Sequence, residues 1–231
     1  MRFVLLHSPL LGPSGWRPVA AELVRRGQVA ETPAWPRLSS IAEGFYAALS
    51  DSLAAGLSAG EPMVLVAHSG AGALVPVLAR RLGAAVGGVI FADAILPHPG
   101  KSWFDTAPPE MRQRLRAGAA MGDLPPWDDW WPPGALARLV PDAGVLDSLI
   151  AELEPLPLAW FEEPAPGEAL VQPGAYLQLS GAYAEEGRIA GRSGWPVVRL
   201  PLHHLAMLTH PEAVAGALDS LAVRLAEAAH G

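Results

Sequence analysis

Short continuous runs of apolar residues alternate along this chain with longer stretches in which apolar positions recur every three or four residues. Phe3 to Leu6, Met63 to Val66 and Val86 to Ala92 are short apolar runs that fit central parallel strands, and Ala175 to Leu179 and Val197 to Leu200, broken only by Gln178 and Arg199, also read as strands. Gln28 to Thr32 is more polar, as an edge strand would be, and Pro33 and Pro36 close it. Between these runs, Trp16 to Arg26, Ala71 to Arg81 and Ala184 to Arg192 read as helices. So does the stretch from an N-cap at Ser39-Ser40 to about Leu57, with Ile41, Phe45, Leu49 and Leu53 on one face. A final amphipathic helix carries Val214, Leu218, Leu221 and Leu225 inward. Strand alternating with helix predicts the α/β class: a mostly parallel sheet flanked by helices and joined by right-handed crossovers. Functional groups in such sheets gather at the carboxyl ends of the strands, where His7, Ser69 and Asp93 all fall.

The alternation stops between about Leu96 and Pro173. Prolines cluster there, interleaved with Trp103, Trp127, Trp130, Trp131 and Trp160, and helices are expected at Pro109 to Ala120, Pro133 to Leu139 and Ala143 to Leu153. Collectively the tryptophans predict an apolar or aromatic pocket. Asp128 and Asp129 read as solvated surface.

Composition narrows the function classes. At 231 residues, 51% hydrophobic and 17% charged, the chain suits one compact domain. The net charge is −7, Lys101 is the single lysine, and no basic run exceeds two residues, which argues against nucleic-acid or polybasic membrane partners. The absence of cysteine excludes disulfides, thiolate metal sites and a Cys nucleophile. The apolar core of the N-terminus is too short for a signal peptide, and no stretch approaches the roughly 18 apolar residues of a membrane span. The expectation is a cytoplasmic protein acting on a small molecule, with no membrane partner, no metal and no organic cofactor; homodimerisation stays open.

The chemistry centres on Ala67-His68-Ser69-Gly70-Ala71, a small-x-Ser-x-small sequence between a strand and a helix. A serine on a strained turn needs small neighbours, and the N–H groups that follow it open a helix, where they can stabilise an oxyanion. The same residues could form a plain turn. They could also form a dinucleotide-binding turn, since Gly70-x-Gly72 follows a strand and Asp93 lies about 20 residues on, but Val75 stands where a third glycine belongs.

In its strand-turn-helix setting, this pentapeptide resembles the nucleophile elbow of the α/β-hydrolase family, with Ala67 and Ala71 where Gly is commoner. The resemblance covers about the full chain. It implies an α/β-hydrolase core of residues 1–96 and 174–231, with a helical cap, residues 97–173, inserted after the strand that follows the elbow. It implies Ser69 as nucleophile and His204 as base, because a histidine after the last strand precedes by seven positions a proline that opens the final helix, here Pro211. His203, His204 and His210 as a metal cluster is the other reading, though their spacing matches no common ligand pattern. The family's acid usually follows the penultimate strand, where Tyr183 or Ala184 stands here. Some members place it after the strand following the elbow, so Asp93 is preferred, with Glu185 or Glu186 as alternatives.

The loop from His7 to Trp16 resembles the family's oxyanion loop. Pro9 falls where a second oxyanion N–H commonly originates and has none, so the Ser8 hydroxyl or the Leu10 N–H is expected to replace it. Gly70, Ser8, Pro9, Leu10, His68 and Trp131 make up the expected oxyanion and substrate-contacting set. The implied function is a serine hydrolase acting on an ester, thioester or lactone of a small, largely apolar substrate through an acyl-enzyme on Ser69. The alternative is a lyase, cyclase, isomerase or ligand-binding protein on the same fold.

Overall fold

The computed structural model describes residues 1–57 and 62–228. The strands are β1 (Arg2–Leu6), β2 (Val29–Glu31), β3 (Met63–Ser69), β4 (Val86–Ala94), β5 (Asp123–Leu124), β6 (Leu156–Pro157), β7 (Gly174–Gln178) and β8 (Val197–Arg199). Six of them form one sheet in the order β2-β1-β3-β4-β7-β8, and every pairing in it is parallel. β5 and β6 pair antiparallel to each other. The helices are α1 (Arg17–Arg25), α2 (Phe45–Gly56), α3 (Val75–Leu82), α4 (Trp103–Thr106), α5 (Pro109–Gly118), α6 (Ala135–Leu139), α7 (Ala143–Ile150), α8 (Leu158–Glu162), α9 (Ala184–Arg192), α10 (Ala206–Thr209) and α11 (Pro211–Ala228). Among the described residues no helix is long and apolar enough to cross a membrane.

The central strands alternate their side chains between two cores, which explains their predominantly apolar sequences. Val4, Leu6, Leu65 and Phe91 face a cluster containing Phe45 and Leu49 of α2 and Leu78 of α3. Phe3, Leu5, Val66 and Ile90 face the other side, where Val19 and Leu23 of α1 meet Val214, Leu218 and Leu221 of α11.

Several helices start later than the sequence pattern suggests. The segment expected to run from Trp16 begins with a 3-10 turn, Pro13–Trp16, ahead of α1. After the elbow a second 3-10 turn, Gly70–Leu74, precedes α3, which has Pro76 in its first turn. Ser39-Ser40 is not an N-cap: Ser40 Oγ bonds back to the Arg37 carbonyl (2.6 Å) within a 3-10 turn. α2 starts at Phe45, after Gly44 in a left-handed conformation (φ 70°). Its first N–H groups are taken by a side chain distant in sequence, since Glu163 accepts from Phe45 N (2.9 Å) and Tyr46 N (3.2 Å).

Residues between β4 and β7 carry α4 to α8 and the β5–β6 pair. α5, α6 and α7 match the expected helices with shorter ends, whereas α4, α8 and the strand pair have no signal in the periodicity. Carboxylates fasten this insertion to the core: besides Glu163, Glu154 accepts from Leu38 N (3.0 Å), and Glu152 accepts from Ser14 N (2.8 Å) and Arg17 (3.0 Å). Replacing Glu163 by Ala leaves the first turn of α2 uncapped and should cost about 1 kcal/mol. The shift of the urea midpoint measures it.

Candidate active site

β3 ends in Ser69, whose backbone is forced to φ 57° and ψ −126°, a conformation L residues rarely adopt. The small residues around it are dictated by close approach. A Cβ on Gly72 would lie 1.9 Å from the Ile95 carbonyl oxygen, and one on Gly70 would lie 2.9 Å from Pro9 Cγ. Asp93, on the adjacent strand, is also in a left-handed conformation (φ 45°). It is the extra residue of a bulge, because His68 pairs with Ala92 and Ser69 with Ala94. The bulge turns Asp93 toward the loops after β7 and β8.

There Asp93 is completely buried and fully occupied. Oδ1 accepts from Leu179 N (2.8 Å) and Ser180 N (2.9 Å), and Oδ2 accepts from Ser180 Oγ (2.6 Å) and His204 Nδ1 (2.8 Å). Burial by itself would raise the Asp93 carboxyl. The bonds from His204, Ser180 and Leu179 outweigh it and hold the carboxyl below its ordinary value, so the group is an anion at neutral pH. The Nδ1 proton of His204 therefore points at Asp93. Nε2 has no hydrogen-bond partner among the described residues.

The His204 ring lies between two others. His68 sits at 4.4 Å on one side, and Tyr183 stacks at 4.9 Å with an interplanar angle of 8°. Tyr183 Oη also shares a hydrogen bond with Ser69 Oγ (3.3 Å). Burial pushes the Tyr183 hydroxyl up to about 12, so it stays protonated.

Ser69, Tyr183 and His204 open into a cavity of about 430 Å³. Much of its remaining wall is aromatic and comes from the residues between β4 and β7, Trp103, Trp127, Trp130, Trp131, Trp160 and Phe161, with Tyr46 of α2; Arg114 is the charged side chain among them. Ser8, Pro9, Leu10 and Gly70 also line it, so most of the expected substrate-contacting set converges here. His68 does not. It is fully buried behind His204, where its Nε2 donates to the His204 carbonyl (3.0 Å). Burial first, then the neighbouring His204, holds it neutral. It packs against the imidazole on the side away from the cavity.

Two further expectations are corrected. The Leu10 N–H is directed at Ser8 Oγ (3.2 Å) and not into the cavity, whose wall on this side is formed by Ser8 and Gly70. Glu185 is exposed and pairs with Arg188 and Arg192, because α9 carries it away from His204. Among the described residues no cluster of His, Asp or Glu is placed to hold a metal, and His203 instead bonds Thr209 (2.9 Å). Nothing in the local sequence marks Ser180 as a site residue, and the one signal for Tyr183 is its place where the α/β-hydrolase family usually has an acid.

His7 anchors the loop after β1. Its Nδ1 donates to the Ser8 carbonyl (2.8 Å), its ring lies 4.5 Å from that of Trp35, and burial lowers it to about 4. A folded value below the unfolded one of about 6.5 means that the unfolded chain binds more protons as pH falls. Stability is therefore full above about pH 6.5 and declines toward pH 4, by roughly 3 kcal/mol from His7 alone. Urea unfolding at about pH 7 and about pH 4.5 should show the loss, and His7→Asn should reduce it.

An all-parallel sheet with a strained serine after its central strand, and with an Asp–His pair delivered from the neighbouring strand and the last loop, defines the α/β-hydrolase fold, and this chain has it. Solved structures match over nearly the whole chain. An extracellular α/β-hydrolase from a Paenibacillus species, described as sharing structural and functional homology with tobacco salicylic acid binding protein 2, has 19% identity and a TM-score of 0.75, covering 96% of this chain and 98% of its own. A pyrethroid hydrolase from Sphingobium faniae has 21% identity and a TM-score of 0.76, covering 98% and 99%. Tomato methylketone synthase I bound to 2-tridecanone has 16% identity and a TM-score of 0.72, covering 97% and 98%. No protein-family model and no curated protein matches the sequence.

Proposed function

We propose that this protein is a serine hydrolase that cleaves an ester, thioester or lactone of a small, largely apolar substrate through an acyl-enzyme on Ser69. The observation that carries the reading is the 2.8 Å Asp93–His204 bond, which orients the imidazole with Nε2 unpartnered in the cavity that holds Ser69. His204 takes the Ser69 proton as Oγ attacks the carbonyl, then returns it to the leaving group; water repeats the cycle on the acyl-enzyme. Gly70 N–H and the Ser8 hydroxyl face the developing oxyanion. The aromatic walls select apolar acyl groups, and residues 97–173 serve as the cap that sets their size.

A non-hydrolytic reading rests on two features: Ser69 bonds Tyr183 rather than His204, and Pro9 lacks an N–H. Methylketone synthase among the structural neighbours shows that the fold is not confined to hydrolases in name. Two measurements separate the readings. A fluorophosphonate should label Ser69 covalently, and p-nitrophenyl esters of increasing acyl length should be hydrolysed with an optimum set by the cavity. A folded protein that neither reacts with the probe nor turns over any ester is not a serine hydrolase.

A further inference from the structure

The Tyr183 hydroxyl is unusual in its placement. It reaches the nucleophile while its ring lies flat on the base, so one side chain touches both partners of the proposed proton transfer. It also lies on a defined flank of Ser69. In the sheet order β2-β1-β3-β4-β7-β8, the oxyanion loop after β1 lies on one side of β3, and the loop carrying Tyr183, after β7, lies on the other. The substrate carbonyl oxygen must point toward Gly70 and Ser8. The leaving group must then depart on the His204 side, where protonated Nε2 can reach it. Tyr183 Oη is on that side.

We propose that Tyr183 is a catalytic hydrogen-bond donor to the leaving-group oxygen. This rests on the ester-hydrolase reading and assigns the step that reading leaves open. In the resting state Tyr183 and Ser69 share a hydrogen bond. During acylation the Ser69 Oγ–acyl bond forms and the bond from acyl carbon to leaving oxygen breaks. The proton taken from Ser69 by His204 Nε2 passes to the leaving oxygen. Tyr183 keeps its own proton throughout and lends a hydrogen bond to the negative charge gathering on that oxygen before His204 protonates it. A hydroxyl that stays protonated suits a donor and not a base.

The donor's contribution must then grow as the leaving group becomes a poorer one. The test is Tyr183→Phe, which keeps the ring on His204 and deletes only the hydroxyl, assayed on esters of one acid whose alcohols run from p-nitrophenol to a simple alkanol. kcat/KM reports acylation, and a common acyl group makes deacylation identical along the series. The expected result is a loss of about 10²-fold for the alkyl ester, little change for the p-nitrophenyl ester, and a KM that moves less than kcat. The thermal midpoint, checked beside the wild type, should be retained. A loss equal for every leaving group would make Tyr183 a support for His204 and overturn the proposal, as would no loss anywhere. A wild type inert toward all of the esters would overturn the hydrolase reading itself, so the two failures are told apart.

Discussion

Ester turnover should vanish in both Ser69→Ala and Ser69→Gly, by on the order of 10⁶-fold in kcat, the scale on which loss of a nucleophile acts when an acyl-enzyme is obligatory. The two variants should differ in stability. Ser69 is held at φ 57° and ψ −126°, which costs an L residue about 1–3 kcal/mol. Alanine retains that strain. Glycine removes it and sacrifices about 0.5–1 kcal/mol of unfolded-chain entropy. Ser69→Gly should therefore be more stable than Ser69→Ala by about 1 kcal/mol, read from urea unfolding with activity measured in parallel. Near-normal turnover in either variant would place the nucleophile elsewhere. Equal stability would show that the elbow stores no strain at Ser69, independently of its chemistry.

Asp93→Asn should lower kcat by about 10⁴-fold while leaving substrate binding nearly unchanged. An amide presents an N–H where the His204 Nδ1 proton now points. The imidazole then turns to the tautomer protonated at Nε2, which cannot take the Ser69 proton. Stability should also fall, by about 1–3 kcal/mol, because one amide oxygen cannot accept the four hydrogen bonds of the carboxylate. The acid side of the pH profile follows from the same bonds. With its folded-state value held below the ordinary one, Asp93 contributes its full stability above about pH 4, and that contribution is lost as pH falls through the lowered value. Steady-state kinetics of Asp93→Asn beside Glu186→Gln decide the acid. Loss in the second variant with activity kept in the first would overturn the assignment.

Much of this was readable in the chain. Continuous apolar runs such as Met63 to Val66 mark strands buried on two faces, and a serine between Ala67, Gly70 and Ala71 marks a turn with no room for side chains. Gly72 shows why: the Ile95 carbonyl occupies the place of its absent Cβ. The seven-residue interval from His204 to Pro211 was readable too, since Pro211 does open α11. Both are local facts, set by backbone sterics and by what can begin a helix.

The start of α2 was not readable, because its N-terminal cap is Glu163, more than a hundred positions away. Nor was the engagement of the Leu10 N–H by Ser8, which depends on how the loop closes. The α/β class, the elbow at Ser69 and one suitably spaced histidine can be read along the chain, because periodicity and small-residue turns are written in neighbouring positions. Which carboxylate faces His204, that His68 packs outside the cavity and that Tyr183 reaches Ser69 emerge only when the chain is folded. Those relations depend on a one-residue bulge at Asp93 and on three loops meeting at the end of the sheet, where chain separation carries no information about distance.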